Sequence, residues 1–260
     1  MCLIAIAWQC HPRFPLILAA NRDEFHERPT AVVHPWGVPS GLVAGRDLRA
    51  GGTWLGASPA GRIAAVTNVR EQTASADTDT PSRGALPVDF LSDSGSPIAF
   101  ARSLAQRAGD YRGFNLLLAT REALVLMSNR AAAPLTLGPG IHAVSNAPPG
   151  VDWPKTRRAR DSLGRALAGN GDTLERLIEA AFALLADDAP AADTALPDTG
   201  LDRTRERWLS AIFVSGSDYG TRCSSVLVVD QDGTLHWHER RFGPDARPTG
   251  TSRLQLGWGA

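Results

Sequence analysis

The first twenty residues constrain the fold more than any other stretch. Leu3 to Trp8 and Pro15 to Ala20 are apolar runs separated by His11-Pro12-Arg13. Runs this short, bounded by turn-forming residues, read as the two strands of a buried β-hairpin. The residue behind Met1 then lies at the open end of that hairpin, and it is Cys2.

Trimming of Met1 would leave a thiol and a free α-amine on one residue. An α-amino group titrates at about 7.7 to 8.0 and a free thiol at about 8.5, so neither is locked in the wrong form near neutrality. The amine can accept the thiol's proton, directly or through a water. The plainer role for such a cysteine is a small buried apolar residue, and it is the rest of the chain that favours the nucleophile.

At 260 residues, 43% hydrophobic and with a formal net charge of zero, the chain can bury a large core, and it reads as a single domain over 1–260. No long run of one charge sign marks a nucleic-acid partner, which points to a small apolar or amphipathic metabolite. Cys2 to Trp8 is too short for a spanning helix and lacks the flanks of a signal peptide, and no other stretch reaches membrane-spanning length without charges. Three sparse cysteines, Cys2, Cys10 and Cys223, argue against a disulfide-stapled secreted protein and for a reducing, cytoplasmic compartment.

Prolines 29, 35 and 39 and glycines 37, 41 and 45 break residues 25–50, predicting a flap without regular elements. Thr53 to Ala57 and Ile63 to Asn68 read as a hairpin turning at Ser58-Pro59-Ala60-Gly61. Residues 73–82 read as a solvated connector and Pro87 to Ala108 as an interrupted helix. Phe114 to Ala119, Ala123 to Met127 and Ile141 to Ser145 suit strands. Apolar spacings of three and four predict helices over Lys155 to Leu167 and Leu174 to Leu185. Asp187 to Asp202 reads as exposed and mobile. Ala211 to Val214, Ser224 to Asp230 and Leu235 to Arg241 return to strand, the last two as a hairpin through Gln231-Asp232-Gly233. Strands at both ends with helices between imply sheets covered by helices.

Several ordered motifs carry a resemblance over nearly the whole chain. They are Met1-Cys2-Leu3-Ile4, Ala20-Asn21-Arg22-Asp23-Glu24, Gly51-Gly52-Thr53-Trp54-Leu55-Gly56, Ala65-Val66-Thr67-Asn68, Val144-Ser145-Asn146-Ala147, Trp153-Pro154-Lys155 and Tyr219-Gly220-Thr221-Arg222. Together they resemble the NRDE family, also called the transport and Golgi organization protein 2 family. That family is in turn similar to N-terminal-nucleophile hydrolases of the penicillin V acylase and bile salt hydrolase kind. The resemblance implies an α+β fold, the four-layer αββα sandwich.

It also implies site roles. Cys2 would be the nucleophile with its own amine as base, Asp23 would orient that amine, and Asn68 and Asn146 would donate to the oxyanion. Asn21, Arg22 and Arg222 would support the site, since a guanidinium near a thiol lowers its pKa. Arg22 alternates with Asp23 along a strand, so the two should face opposite sides, and pairing with Glu24 or another carboxylate is its structural alternative. Asn146, beside two prolines, is also suited to capping a turn. Ala20 stands where the acylases carry an arginine.

His236 and His238 share a strand face but lack a third ligand at a recognisable spacing, so a solvated face is expected rather than a metal. Cys10-His11 suits soft ligation of iron, a thiol sensor or an ordinary surface pair at the hairpin turn. Tyr219 to Arg222 reads as a turn that brings Arg222 near the nucleophile's end of the sheet. Two functions follow. One is a hydrolase that needs no cofactor and cleaves an amide or thioester of a small acyl metabolite. The other, suggested by the family's connection with haem mobilisation and acyl-lipid metabolism, is a non-catalytic binding or trafficking scaffold for haem or an acyl-CoA-like metabolite.

Overall fold

The first strand is buried along its whole length and paired on both sides, so it forms an interior strand of its sheet. The computed structural model describes residues 2–37, 41–71, 80–170 and 173–259. Its strands are β1 (Cys2–Trp8), β2 (Leu16–Phe25), β3 (Thr30–Pro35), β4 (Val43–Asp47), β5 (Leu55–Ser58), β6 (Arg62–Asn68), β7 (Phe114–Ala119), β8 (Leu124–Ser128), β9 (Leu135–Leu137), β10 (Gly140–Val144), β11 (Tyr219–Val229), β12 (Thr234–Phe242) and β13 (Pro248–Gly257). The helices are α1 (Ala85–Ser92), α2 (Pro97–Ala105), α3 (Pro154–Asn170), α4 (Leu174–Leu185) and α5 (Arg203–Trp208). Two compact units contain them. The first comprises Met1–Glu27, Pro139–Ala147 and Val151–Gln255, the second Arg28–Gly138, Pro148–Gly150 and Leu256–Ala260.

In the first unit six strands run in the order β10-β1-β2-β11-β12-β13. Side chains alternate across a strand, and the odd residues Leu3, Ala5, Ala7, Ile17 and Ala19 join Val226 and Val228 beneath α3 and α4. The alanines leave room for Leu163 of α3 and for Leu177, Ile178, Ala181 and Leu185 of α4. Each large side chain buried this way contributes about 1.5 to 3 kcal/mol. At the end of this apolar face sits Asn21, fully buried. Its Nδ2 donates to the carbonyls of Leu185 at 2.8 Å and Ile212 at 2.9 Å, and its Oδ1 accepts from Ser224 Oγ at 2.6 Å. A buried amide bonded on both sides is a fastener, here joining β2 to the end of α4 and to β11.

In the second unit seven strands run in chain order from β3 to β9. Leu86, Phe90 and Leu91 of α1 and Ala101 and Leu104 of α2 pack with Ala64, Val66, Leu116, Leu118, Val125 and Met127 of the sheet. The glycine-rich segment before β5 is required by backbone proximity. A Cβ on Gly52 would lie 2.3 Å from the Gly84 carbonyl oxygen and 2.9 Å from Gly84 Cα, where Thr53 N donates to the same oxygen at 3.0 Å. One on Gly56 would meet Leu91 Cδ1 at 2.6 Å.

Several expectations need correction. The stretch 25–50 is not irregular: β2 runs on to Phe25, and β3 and β4 follow. The prolines misled because an edge strand tolerates them, and β3 is an edge that ends at Pro35. Tyr219 to Arg222 is not a turn but the start of β11. Ala211 to Val214 is buried yet forms no strand. Its backbone is pinned piecewise, Phe213 N to the Asp187 carbonyl at 2.8 Å and Val214 N to Thr221 Oγ1 at 3.0 Å. Asp187 to Asp202 is tethered rather than loose, through that Asp187 carbonyl, an Arg207–Asp193 ion pair and Ala191 N on Ser210 Oγ. The expected connector falls mainly on residues outside those described. Among the described residues no helix is long and apolar enough to cross a membrane.

The Gly52 contact is with backbone and cannot be relieved by a rotamer change. Gly52→Ala should therefore destabilise the protein by about 1 to 3 kcal/mol, read as a lower urea midpoint with an unchanged slope.

Candidate active site

The site is built by strand register. In the β1–β2 pair Cys2 stands opposite Arg22, and in the β2–β11 pair Arg22 stands opposite Cys223. Directly opposed residues share a face, so Cys2, Arg22 and Cys223 form one row across three strands, on the face away from α3 and α4. All three are buried. The row depends on a bulge: Thr221 pairs with Asp23 and Cys223 with Arg22, leaving Arg222 as the extra residue. Bulges re-aim side chains, and the Arg222 guanidinium turns back to donate to the Phe25 carbonyl at 2.7 Å.

Burial pushes the Cys2 thiol pKa above its ordinary value, and the Asp23 carboxylate adds to this, while the N-terminal positive charge, then the Arg22 charge and the Asp23 backbone N–H, act against it. At neutral pH the thiol keeps its proton, so attack needs a base. Burial, then the Glu239 carboxylate, raises Cys223 further, again opposed by Arg22. One guanidinium thus serves two thiols. Both cysteines are free. Two strand spacings separate them by about 9 to 10 Å, beyond the roughly 7 Å limit for a disulfide.

Asp23, as alternation requires, points to the other side. Its Oδ1 accepts from Thr221 Oγ1 at 2.7 Å and its carbonyl from Tyr219 Oη at 3.1 Å. Thr221 Oγ1 in turn accepts from Val214 N, so the carboxylate is held at the edge of the row while its charge still reaches Cys2. Asn21 also lies on the helix side, its amide committed as described. Glu24 Oε1 accepts from Phe25 N at 2.9 Å, and the Glu24 charge acts on Arg222, whose pKa burial and Arg22 lower.

Asn146 follows β10, and Ile4 pairs with Val144. The β1–β10 ladder ends at that pair, so Asn146 lies two residues beyond the paired strand, where Ser145 and Asn146 both bond to the first turn of α3. Asn146 is fully buried, and Lys155 Nζ donates to its Oδ1 at 3.3 Å. Asn68 is the last residue of β6 in the second unit, paired with Phe114 and half-buried.

Two buried residues of the first unit have no role in the sequence reading. Cys223 gave no signal, because its place opposite Arg22 depends on the bulge. Lys155 was visible only as part of Trp153-Pro154-Lys155. Of the histidine pair, His238 is half-buried and only His236 departs from a solvated face. His236 is buried, with Nε2 on Asp230 Oδ2 at 2.8 Å and Nδ1 on Gln255 Nε2 at 3.0 Å. His11 stacks on Phe14 with centroids 5.0 Å apart, and its Nδ1 accepts from Arg13 N and Phe14 N, each at 3.2 Å, which closes the β1–β2 turn. Cys10 beside it is exposed. No group of three metal-ligating side chains occurs among the described residues.

The family model for Transport and Golgi organisation 2 matches residues 1–244. The Transport and Golgi organization protein 2 homolog of Bos taurus is 31% identical over 262 residues, 92% of each chain. The Homo sapiens homolog is 29% identical over 257 residues, again 92% of each. Among solved structures, a mutant of conjugated bile acid hydrolase from Clostridium perfringens superposes with a TM-score of 0.50 over 98% of this chain and 92% of that one, at 7% identity. A second variant of that enzyme gives 0.50 over 96% and 92%, at 9% identity. The likeness is one of fold, the N-terminal-nucleophile hydrolase fold.

The row makes a prediction about thiol chemistry. Arg22→Gln removes the charge that favours both thiolates, so the curve of Cys2 alkylation rate against pH should move to higher pH, with about tenfold slower labelling at fixed pH for each unit of displacement. Arg22→Lys should restore part of the rate. Peptide mass mapping after timed iodoacetamide labelling separates Cys2 from exposed Cys10.

Proposed function

Because the chain belongs to the Transport and Golgi organisation 2 family, and its fold is that of the N-terminal-nucleophile hydrolases, we propose that it is a cysteine hydrolase acting on an amide or thioester of a small acyl metabolite. The observation that carries this reading is the row itself: a buried thiol at the start of an interior strand, with Arg22 directly opposite it on β2.

The chemistry follows from that placement. With Met1 removed, the Cys2 α-amine takes the thiol proton and Sγ attacks the acyl carbonyl. Asn146 donates to the oxyanion that forms, and Arg22 stabilises the negative sulfur before attack. The intermediate collapses with the leaving amine or thiol taking the proton from the ammonium, which leaves a Cys2 thioester. Water then gives a proton to the amine and attacks the thioester, releasing the acid and restoring the thiol. Asp23 holds the ammonium form in place at the two stages where it exists. The raised thiol pKa supports a mechanism with a built-in base over one that relies on a standing thiolate.

Intact-mass measurement with acyl amides and acyl thioesters tests this. The expected result is a chain lacking Met1 that gains an acyl adduct, lost in Cys2→Ala. An N-terminal extension that blocks the α-amine should abolish turnover, and unchanged turnover in the blocked form would overturn the self-base mechanism. A trimmed Cys2 that accepts no acyl group would favour the binding scaffold, for which haem titration with a Soret readout is the next measurement.

A further inference from the structure

Lys155 is 2% exposed, although lysine is rarely buried without a specific role. It is the second residue of α3, after Pro154, which suits a helix start because its missing N–H is not needed there. Its Nζ donates to Asn146 Oδ1 at 3.3 Å. One residue further, the hydroxyls of Thr156 and Ser145 share a hydrogen bond of 3.0 Å. The first turn of α3 therefore holds two consecutive residues of the segment after β10, Ser145 and Asn146, by two side-chain bonds.

An ammonium has three donors and no acceptor. Whatever faces Lys155 must be the amide oxygen, so the Asn146 NH2 group points elsewhere. Orientation is what an oxyanion donor requires: a flipped amide would present a carbonyl oxygen to the developing negative charge and oppose the reaction. A cation on the oxygen also draws electron density from the amide and makes its N–H groups better donors.

We propose that Lys155 is a positioning residue that holds the Asn146 amide with its NH2 group toward the carbonyl oxygen attacked by Cys2. This rests on the hydrolase reading. It gives the Trp153-Pro154-Lys155 motif a purpose: Pro154 starts α3 at the point from which Lys155 reaches back to Asn146, just past the end of β10.

The test compares two reactions of the same thiol. Acylation of Cys2 passes through an oxyanion; alkylation by iodoacetamide does not. Lys155→Met should slow acylation by roughly ten- to a hundredfold, below the roughly 10²- to 10³-fold loss expected for removing a donor outright. Alkylation of Cys2 should stay unchanged. The double variant Lys155→Met/Asn146→Ala should be no slower than Asn146→Ala alone. Lys155→Gln, neutral but still able to donate, should fall between wild type and Lys155→Met, and it carries the comparison should Lys155→Met not fold. In substrate-free protein labelled with ¹⁵N, the Asn146 side-chain amide signal should shift in either Lys155 variant. An unmoved amide signal, undiminished acylation, equal loss of both reactions or multiplying losses in the double variant would each overturn the role of Lys155. A wild-type chain that forms no Cys2 adduct with any acyl donor would instead overturn the hydrolase reading, and the inference with it.

Discussion

The antiparallel pairing of β1 with β2 fixes what stands directly opposite Cys2. On the β2 side the neighbour of Cys2, Arg22, is set by register and not by a loop. A slip of one residue would send Cys2 to the helix side and Leu3 to the other. What resists the slip is the opposite face, where Leu3, Ala5 and Ala7 are packed beneath α3 and α4. Packing on one side of the sheet therefore places the chemistry on the other, and the helices act on the site without touching the thiol.

Burial has a cost that the surrounding charges only partly offset. Taking Cys2 and Cys223 out of water favours their protonated forms, and the single Arg22 guanidinium opposes this at both. Raised pKa values favour the protonated thiols and put a premium on a local base for any attack by Cys2. That arrangement suits a nucleophile whose α-amine is released only when Met1 is removed.

The sequence disclosed these features unequally, for physical reasons. The opening hairpin was legible because short apolar runs between turn residues have few alternatives, and α4 because its apolar positions repeat at helical spacing over twelve residues. The strands β3 and β4 were hidden by prolines and glycines that an edge position and a close backbone approach make acceptable; at Gly45 a Cβ would lie 3.2 Å from the Ala31 carbonyl oxygen. The opposed facing of Arg22 and Asp23 was legible from alternation alone. The alignment of Cys223 with Arg22 was not, because a bulge breaks the period of two that such a reading relies on. Lys155 was illegible for another reason: a lysine in the first turn of a helix reads as solvated, and only the packing of Ser145 and Asn146 against that turn buries it.

Alternation also divides the Asn21-Arg22-Asp23-Glu24 segment into separate tasks and bears on the alanine that precedes it. Asn21 and Asp23 turn toward the helix side, Asn21 as a fastener and Asp23 bonded to Thr221 with its charge still reaching Cys2, while Arg22 faces the thiols. Ala20 shares the Arg22 face one pleat inward, opposite Ser225. Ser225 Oγ donates to Glu239 Oε2 at 3.3 Å, and Arg241 pairs with Glu239 Oε1 at 3.3 Å. A cation at position 20 would lie beside a carboxylate that already has a guanidinium and a hydroxyl, one row away from Cys2. At position 22 the same charge stands directly opposite Cys2. The absence of an arginine at 20 therefore does not leave the thiol without a counter-charge, because the register brings one to it from two residues further along the strand.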